Sequence, residues 1–120
     1  MNQEEHKEQK ALIKWAGLQS KTIPALKLLF AIPNGGARHI AVATKLKAEG
    51  VRRGVPDLML PVANGTFHGL FIEMKKVNGG RASKEQIEWQ TALQLEGYQS
   101  LICEGWLDAK ESIEIYLGWG

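Results

Sequence analysis

The sequence predicts an α/β fold in which helices flank a central mixed sheet. Apolar residues recur at helical spacing near both ends of the chain, and short apolar runs typical of strands lie between them. Turn residues and a helix-capping pattern separate these segments. The predicted order is helix, strand, helix, strand, strand, helix, strand, helix. At 120 residues, we expect residues 1–120 to form one domain.

The first half of the chain supplies two helices and one strand. Residues 3–19 are predicted to be helical because of an apolar stripe at helical spacing. Leu28–Ile32, "LLFAI", is a continuous apolar run that predicts a buried strand, although residues 21–29 could instead extend a helix. The turn sequence Pro33–Gly36 ends this run, and residues 37–49 are predicted to form the second helix. The stripe of the first helix comprises Leu12, Trp15, Ala16 and Ile13.

A β-hairpin is predicted in the middle of the chain. Its arms are Leu58–Val62 and Leu70–Lys76, and Asn64-Gly65 is a favoured two-residue turn. Counting outward from this turn places Asp57 opposite Ile72, on the wrong face to meet the acidic residue that follows Ile72. We therefore expect either a bulge or a longer loop in the hairpin.

The last third of the chain contains a helix, a strand and a second helix. Ser83 and Gln86 form a capping-box pair that opens the first of these helices, which ends near Glu96. Tyr98–Cys103 is a short apolar strand, and Trp106–Leu117 has the pattern of an amphipathic helix. Three apolar residues of this helix are predicted to face inward: Leu107, Ile113 and Leu117.

Charged residues in the hairpin are the main functional signal. Glu73 and Lys75 alternate with apolar residues and so share one face of the second arm, while Asp57 precedes the first arm. Two carboxylates that converge in a buried hairpin repel each other unless a cation lies between them. Mg²⁺ and Mn²⁺ select carboxylate oxygens. Alternatively, Glu73 and Lys75 form an exposed ion pair, and Asp57 is a turn residue after Pro56.

Positive charge is concentrated in the middle of the sequence. Residues 37–84 contain nine Lys or Arg against three Asp or Glu, a net charge of +6, whereas the whole chain carries only +2. Such a region is a candidate surface for a polyanion, although it could also be a solvated face. The candidate contacts are Arg38, His39, Arg52, Arg53, Lys76, Arg81 and Lys84.

Four short motifs occur in an order that resembles a known family. They are "IPNGG" at 32–36, "GVRRGVPDLML" at 50–60, "FIEMK" at 71–75 and "SKEQIEW" at 83–89. Pro56-Asp57 followed by Glu73-x-Lys75 resembles the PD-(D/E)XK nuclease signature. Together the motifs resemble the VRR-NUC family in its stand-alone form, which is typical of phage and prophage genomes. The resemblance implies a restriction-endonuclease-like fold with a mixed central sheet flanked by helices.

The resemblance also implies roles for individual residues. Asp57 and Glu73 would be metal ligands together with the backbone carbonyl of Met74, and Lys75 would position the attacking water. Gln86 would face the site from the following helix. On the first helix, an acid would approach the metal: Glu5 fits best, although Glu4 and Glu8 are close to it in sequence and all three could simply complement the helix dipole.

The implied activity is Mg²⁺- or Mn²⁺-dependent hydrolysis of DNA by an endonuclease. Stand-alone family members resemble homodimeric resolvases of four-way (Holliday) junctions, so branched DNA is the expected substrate. The alternatives are a DNA-binding adaptor on a degenerate nuclease fold and a small structural domain. A lone cysteine, Cys103, and the lack of a long apolar run suit a cytoplasmic protein that does not enter membranes.

Overall fold

Helices flank a four-stranded sheet in the computed structural model, which describes residues 1–33 and 40–118. The strands lie in the order β1-β2-β3-β4; the pairs β1–β2 and β2–β3 are antiparallel, and the pair β3–β4 is parallel. This mixed sheet and the order of its elements confirm the predicted fold class. The strands are β1 Phe30–Ala31, β2 Leu58–Leu60, β3 Leu70–Lys75 and β4 Gln99–Glu104. The helices are α1 Gln3–Gln19, α2 Ile40–Ala48, α3 Lys84–Leu95 and α4 Trp106–Tyr116, with a 3₁₀ helix at Pro24–Leu28.

The hydrophobic core lies between β3 and the two terminal helices. Leu12 of α1 and Ile113 of α4 are completely buried, and they belong to the same apolar cluster as Ile72 and Met74 of β3. Burying an aliphatic side chain of this size contributes about 1.5–3 kcal/mol. Packing at this face therefore fixes β3 as the central element on which the functional residues are placed.

The predicted buried strand at Leu28–Ile32 is wrong in length and in burial. The 3₁₀ helix Pro24–Leu28 occupies the start of this run, and β1 contains only two residues, both exposed. Proline suits the first turn of a helix because its fixed φ is helical and its missing N–H needs no partner there. β1 lies at the edge of the sheet, and the run packs against the core through Leu29, while Leu26, which precedes the run, is buried.

Two helices, α4 and α2, expose residues to solvent. Leu107 is 63% exposed, which contradicts its predicted inward position, whereas Ile113 is buried as predicted. No residue of α2 is buried.

The predicted contacts Arg38 and His39 lie outside the described residues, as does most of the predicted turn before them.

The hairpin has a longer connection than a two-residue turn. Leu58 pairs with Ile72, and the pairing continues to the end of β2, so residues 61–69 join the arms. The two-residue turn is therefore wrong, and the alternative of a longer loop is confirmed. Asn64 still forms a local turn, since its side-chain oxygen accepts hydrogen bonds from two N–H groups that follow it in the loop. Extending this register by one residue places Asp57 opposite Glu73, which removes the predicted mismatch in faces.

Every helix in the described ranges, 1–33 and 40–118, is too short or too polar to cross a lipid bilayer.

Candidate functional site

Asp57 and Glu73 come together at the end of the β2–β3 pair. Both side chains are buried, with 7% and 5% of the residue surface exposed. One oxygen of Asp57, Oδ2, accepts a hydrogen bond of 2.7 Å from the backbone N–H of Met74. The Asp57 carboxylate thus accepts the hydrogen bond from Met74 that a backbone carbonyl on the β2 side would otherwise accept. This contact holds the carboxylate of Asp57 beside that of Glu73.

Burial perturbs both carboxylates. Desolvation, together with the nearby charge of Asp57, raises the pKa of Glu73 to about 8 against the opposing effect of Lys75. Desolvation also raises the pKa of Asp57, against the hydrogen bond from Met74. Glu73 is therefore the acid that keeps a proton at neutral pH when no cation is bound.

Lys75 and Gln86 complete the polar group around Glu73. The ammonium nitrogen of Lys75 lies 3.6 Å from Glu73 Oε2, and Lys75 is only 6% exposed. Gln86 Nε2 donates a 2.8 Å hydrogen bond to the same oxygen. Because Gln86 Oε1 accepts from the N–H of Ser83 in the predicted capping box, the amide nitrogen must face Glu73. The capping box thus orients a side chain of the site.

The other oxygen of Glu73, Oε1, is buried and has no hydrogen-bond partner. A buried acceptor without a partner costs about 1–3 kcal/mol, so the site favours a bound donor or cation. The N–H and C=O of one strand residue point to the same side of the strand, so the Met74 carbonyl is directed toward the side on which Asp57 lies. Two carboxylates and a carbonyl are the hard oxygen ligands that suit Mg²⁺ or Mn²⁺. The residues at the site therefore fit such an ion.

The protein supplies only part of a coordination shell. Within residues 1–33 and 40–118, no group of three His, Cys, Asp or Glu side chains is placed to hold one ion. Mg²⁺ normally keeps several waters and is bound through one or two carboxylates, so a site with two acids remains suitable. Glu5 does not complete a three-acid ligand set in this arrangement.

The three acids of the first helix have different positions. Glu5 is buried, and its charge contributes to the raised pKa of Asp57, so it lies close to the site. It also contacts Asn2, the residue that caps α1. Glu4 is exposed, whereas Glu8 Oε1 accepts a 2.7 Å hydrogen bond from the N–H of Trp106. Glu8 thus caps α4, a structural role that the sequence did not reveal because its partner is remote.

The predicted DNA contacts within the described residues lie mainly at the surface. Arg52 is exposed, and its guanidinium donates to the carbonyl of Lys47, so it caps the end of α2. The side chain of Arg53 is 89% exposed, and its Nε lies 3.9 Å from Glu85 Oε1. Three more contacts follow the Glu-x-Lys motif along the chain: Lys76, which is half-buried, and the exposed Arg81 and Lys84.

A close backbone contact brings Arg53 next to α3. A methyl group at Gly54 would lie 2.7 Å from the main chain of Glu85, nearer than side chains normally approach. Gly54 also has φ +91°, which favours glycine. The loop that carries Arg53 therefore rests on the helical turn that carries Gln86.

A mixed sheet with Pro-Asp before one strand and Glu-x-Lys on its antiparallel neighbour defines the PD-(D/E)XK class of nuclease folds. A family model described as VRR-NUC domain matches residues 2–106, and the chain belongs to the VRR-NUC family, a family of nuclease type. The chain is also similar to a solved structure described as a VRR_NUC domain protein. The two share 30% sequence identity with a TM-score of 0.84, over 100% of this chain and 93% of that one. Comparison with curated proteins gives no match.

Proposed function

We propose that this protein is a Mg²⁺- or Mn²⁺-dependent endonuclease that hydrolyses phosphodiester bonds in DNA. The observation that carries the proposal is the convergence of Asp57 and Glu73, with Lys75 Nζ 3.6 Å from Glu73. Burying two acids and an amine is costly unless they serve a ligand, and the unpartnered Oε1 of Glu73 provides a place for one.

Asp57, Glu73 and the carbonyl of Met74 would hold the ion. When bound, a divalent ion lowers the pKa of a coordinated water and neutralises charge on the phosphate. The ion also favours the ionised form of both acids, whose pKa values are raised without it.

The remaining groups position these ligands and the nucleophile. The Met74 N–H and the Gln86 amide hold one oxygen each of Asp57 and Glu73, which leaves their other oxygens for the ion. The ammonium of Lys75 would orient the attacking water and stabilise negative charge that develops on the phosphate. Glu5 adds negative charge beside Asp57 and so strengthens the attraction for a cation.

Two substitutions at the site should abolish cleavage of DNA in the presence of Mn²⁺ while the fold is retained. Glu73→Gln removes a ligand charge, and Lys75→Met removes the amine; both preserve much of the side-chain volume. Glu111→Gln and Lys14→Met are the matched controls, because both residues are exposed and outside the site. We expect the controls to cleave like the wild type, as measured by fluorescent-substrate gel assays with circular dichroism to verify folding.

Wild-type cleavage by folded Glu73→Gln or Lys75→Met would contradict the proposed site. Absence of cleavage by the wild type, with salt-dependent DNA binding retained, would instead favour a DNA-binding adaptor on a degenerate nuclease fold.

We infer further that the substrate is branched DNA and that the active form is a homodimer. Phosphate contacts from Arg53, Arg81 and Lys84 would read backbone shape and not base sequence. The exposed edge strand β1 and the apolar side chains of Phe30 and Ile40 offer surface that a second copy could cover. A two-fold dimer would present two sites to the two symmetric strands of a four-way junction.

Cleavage of linear, flap, splayed and four-way DNA at matched concentrations tests this preference, with light scattering to give the molar mass. We expect the four-way junction to be cut fastest and the mass to be that of two chains. A monomer that cuts linear duplex equally fast would contradict both inferences without affecting the proposed chemistry.

A further inference from the structure

The loop after β3 turns back toward the strand it has just left. Asn78 and Gly79 have φ values of +63° and +83°, in the left-handed region that reverses the chain direction. The next residue, Gly80, then comes into contact with the end of β3.

Gly80 approaches Lys75 more closely than any residue with a side chain could. A methyl group at Gly80 would lie 2.8 Å from Lys75 Cβ and 3.3 Å from the backbone N and O of Lys76. Real Cβ atoms essentially never lie within 3.0 Å of another heavy atom, so a side chain at Gly80 would require one partner to shift. Lys75 cannot shift easily, since it pairs with Glu104 of β4 and its carbonyl accepts from Gly105.

We infer that Gly80 is a positioning residue that fixes the Lys75 side chain at the site. Because Gly80 has no side chain, the loop can close directly onto the base of Lys75. This contact limits the directions in which the lysine can leave the strand, and it keeps Nζ beside Glu73. The inference rests on the proposed function, since it assigns to Gly80 an effect on catalysis through Lys75.

The neighbouring glycine provides a matched control that separates contact from backbone strain. Gly79 has a positive φ, but a methyl group added there would have no atom within 4 Å, whereas Gly80 has the contact without a positive φ. If backbone conformation alone mattered, Gly79→Ala would be the more harmful change. If the close approach matters, Gly80→Ala should be the harmful change for catalysis.

The test measures kcat, KM, DNA affinity and Tm of the full chain with Mn²⁺ for Gly79→Ala, Gly80→Ala and Lys75→Met. A displacement of about 1 Å at a catalytic group can cost roughly 100-fold in rate, so we expect a kcat loss of that order for Gly80→Ala with little change in KM. Gly79→Ala should lower Tm but keep kcat.

A second variant covers the case in which Gly80→Ala fails to fold. One glycine inserted between Gly79 and Gly80 loosens the loop without adding a side chain, and it should also lower kcat at unchanged DNA affinity. If folded Gly80→Ala has the wild-type kcat while Lys75→Met is inactive, the inference is overturned. If Gly80→Ala does not fold, a wild-type kcat in the insertion variant overturns it in the same way. Wild-type cleavage by Lys75→Met would overturn the proposed role of Lys75 and this inference together.

Discussion

The two faces of strand β3 are equally buried but contain opposite chemistry. Leu70, Ile72 and Met74 on one face are almost completely inaccessible and belong to the hydrophobic core. On the other face, Glu73 and Lys75 are nearly as inaccessible, although charged residues are rarely buried without partners. Burial therefore stabilises the protein on one face and raises the pKa of Glu73 on the other. The proposed site thus lies on the face where burial is costly.

The largest expected effect of a substitution is on the apolar face. Ile72→Ala should lower the free energy of unfolding by about 2–5 kcal/mol, because it leaves a cavity in the packed core. Glu73→Gln, one residue away on the polar face, is the comparison: at pH 7 and without metal it should raise stability, since the wild-type chain must take up a proton at Glu73 when it folds and glutamine avoids this cost. Chemical denaturation of both variants in the presence of chelator measures the difference. Equal losses for the two variants would remove the proposed contrast between the faces.

A smaller change, per unit of pH, is expected on the polar face. The folded pKa of Glu73 is about 8, against an ordinary value of 4.5, so the unfolded chain loses this proton first as the pH rises. Stability without metal should therefore fall between about pH 4.5 and 8, by at most about 1.4 kcal/mol per pH unit from this group. The raised pKa of Asp57 acts in the same direction.

The comparison of wild type with Glu73→Gln isolates this contribution from other titrating groups. The unfolding free energy of the variant, measured with chelator from pH 5 to pH 9, should depend less steeply on pH. Adding Mg²⁺ should reduce the fall of the wild type, because a bound cation stabilises both anions and binds only the folded chain. Parallel pH profiles for the two proteins would show that Glu73 is not perturbed by burial.

Local sequence patterns were sufficient for the elements whose residues interact with near neighbours. The helical stripe that includes Leu12 and Ala16 predicted α1, and the pair Ser83 and Gln86 predicted both the start of α3 and its capping box. Local patterns failed where burial depends on remote partners. Leu107 fits an amphipathic helix but is 63% exposed, whereas Ile113 of the same helix is buried.

The candidate site was predicted in its residues but not in its geometry. Asp57, Glu73 and Lys75 were identified from their spacing and from the family resemblance. The register that brings Asp57 opposite Glu73 depends on residues 61–69, which form a longer loop than the Asn64-Gly65 pair predicts. The distinction between Glu5 and Glu8 depends on the packing of α1 against the sheet and α4.

The sequence by itself determined the order of the elements, the capping of α3 and the acidic and basic residues of the site, since these follow from local periodicity and residue chemistry. Only the tertiary structure decided that Asp57 and Glu73 are both buried and lie close together, that Gln86 binds Glu73 and that Gly80 lies against Lys75. These contacts join residues from separate elements. Their distances are set by strand register and close packing, which no short stretch of sequence specifies.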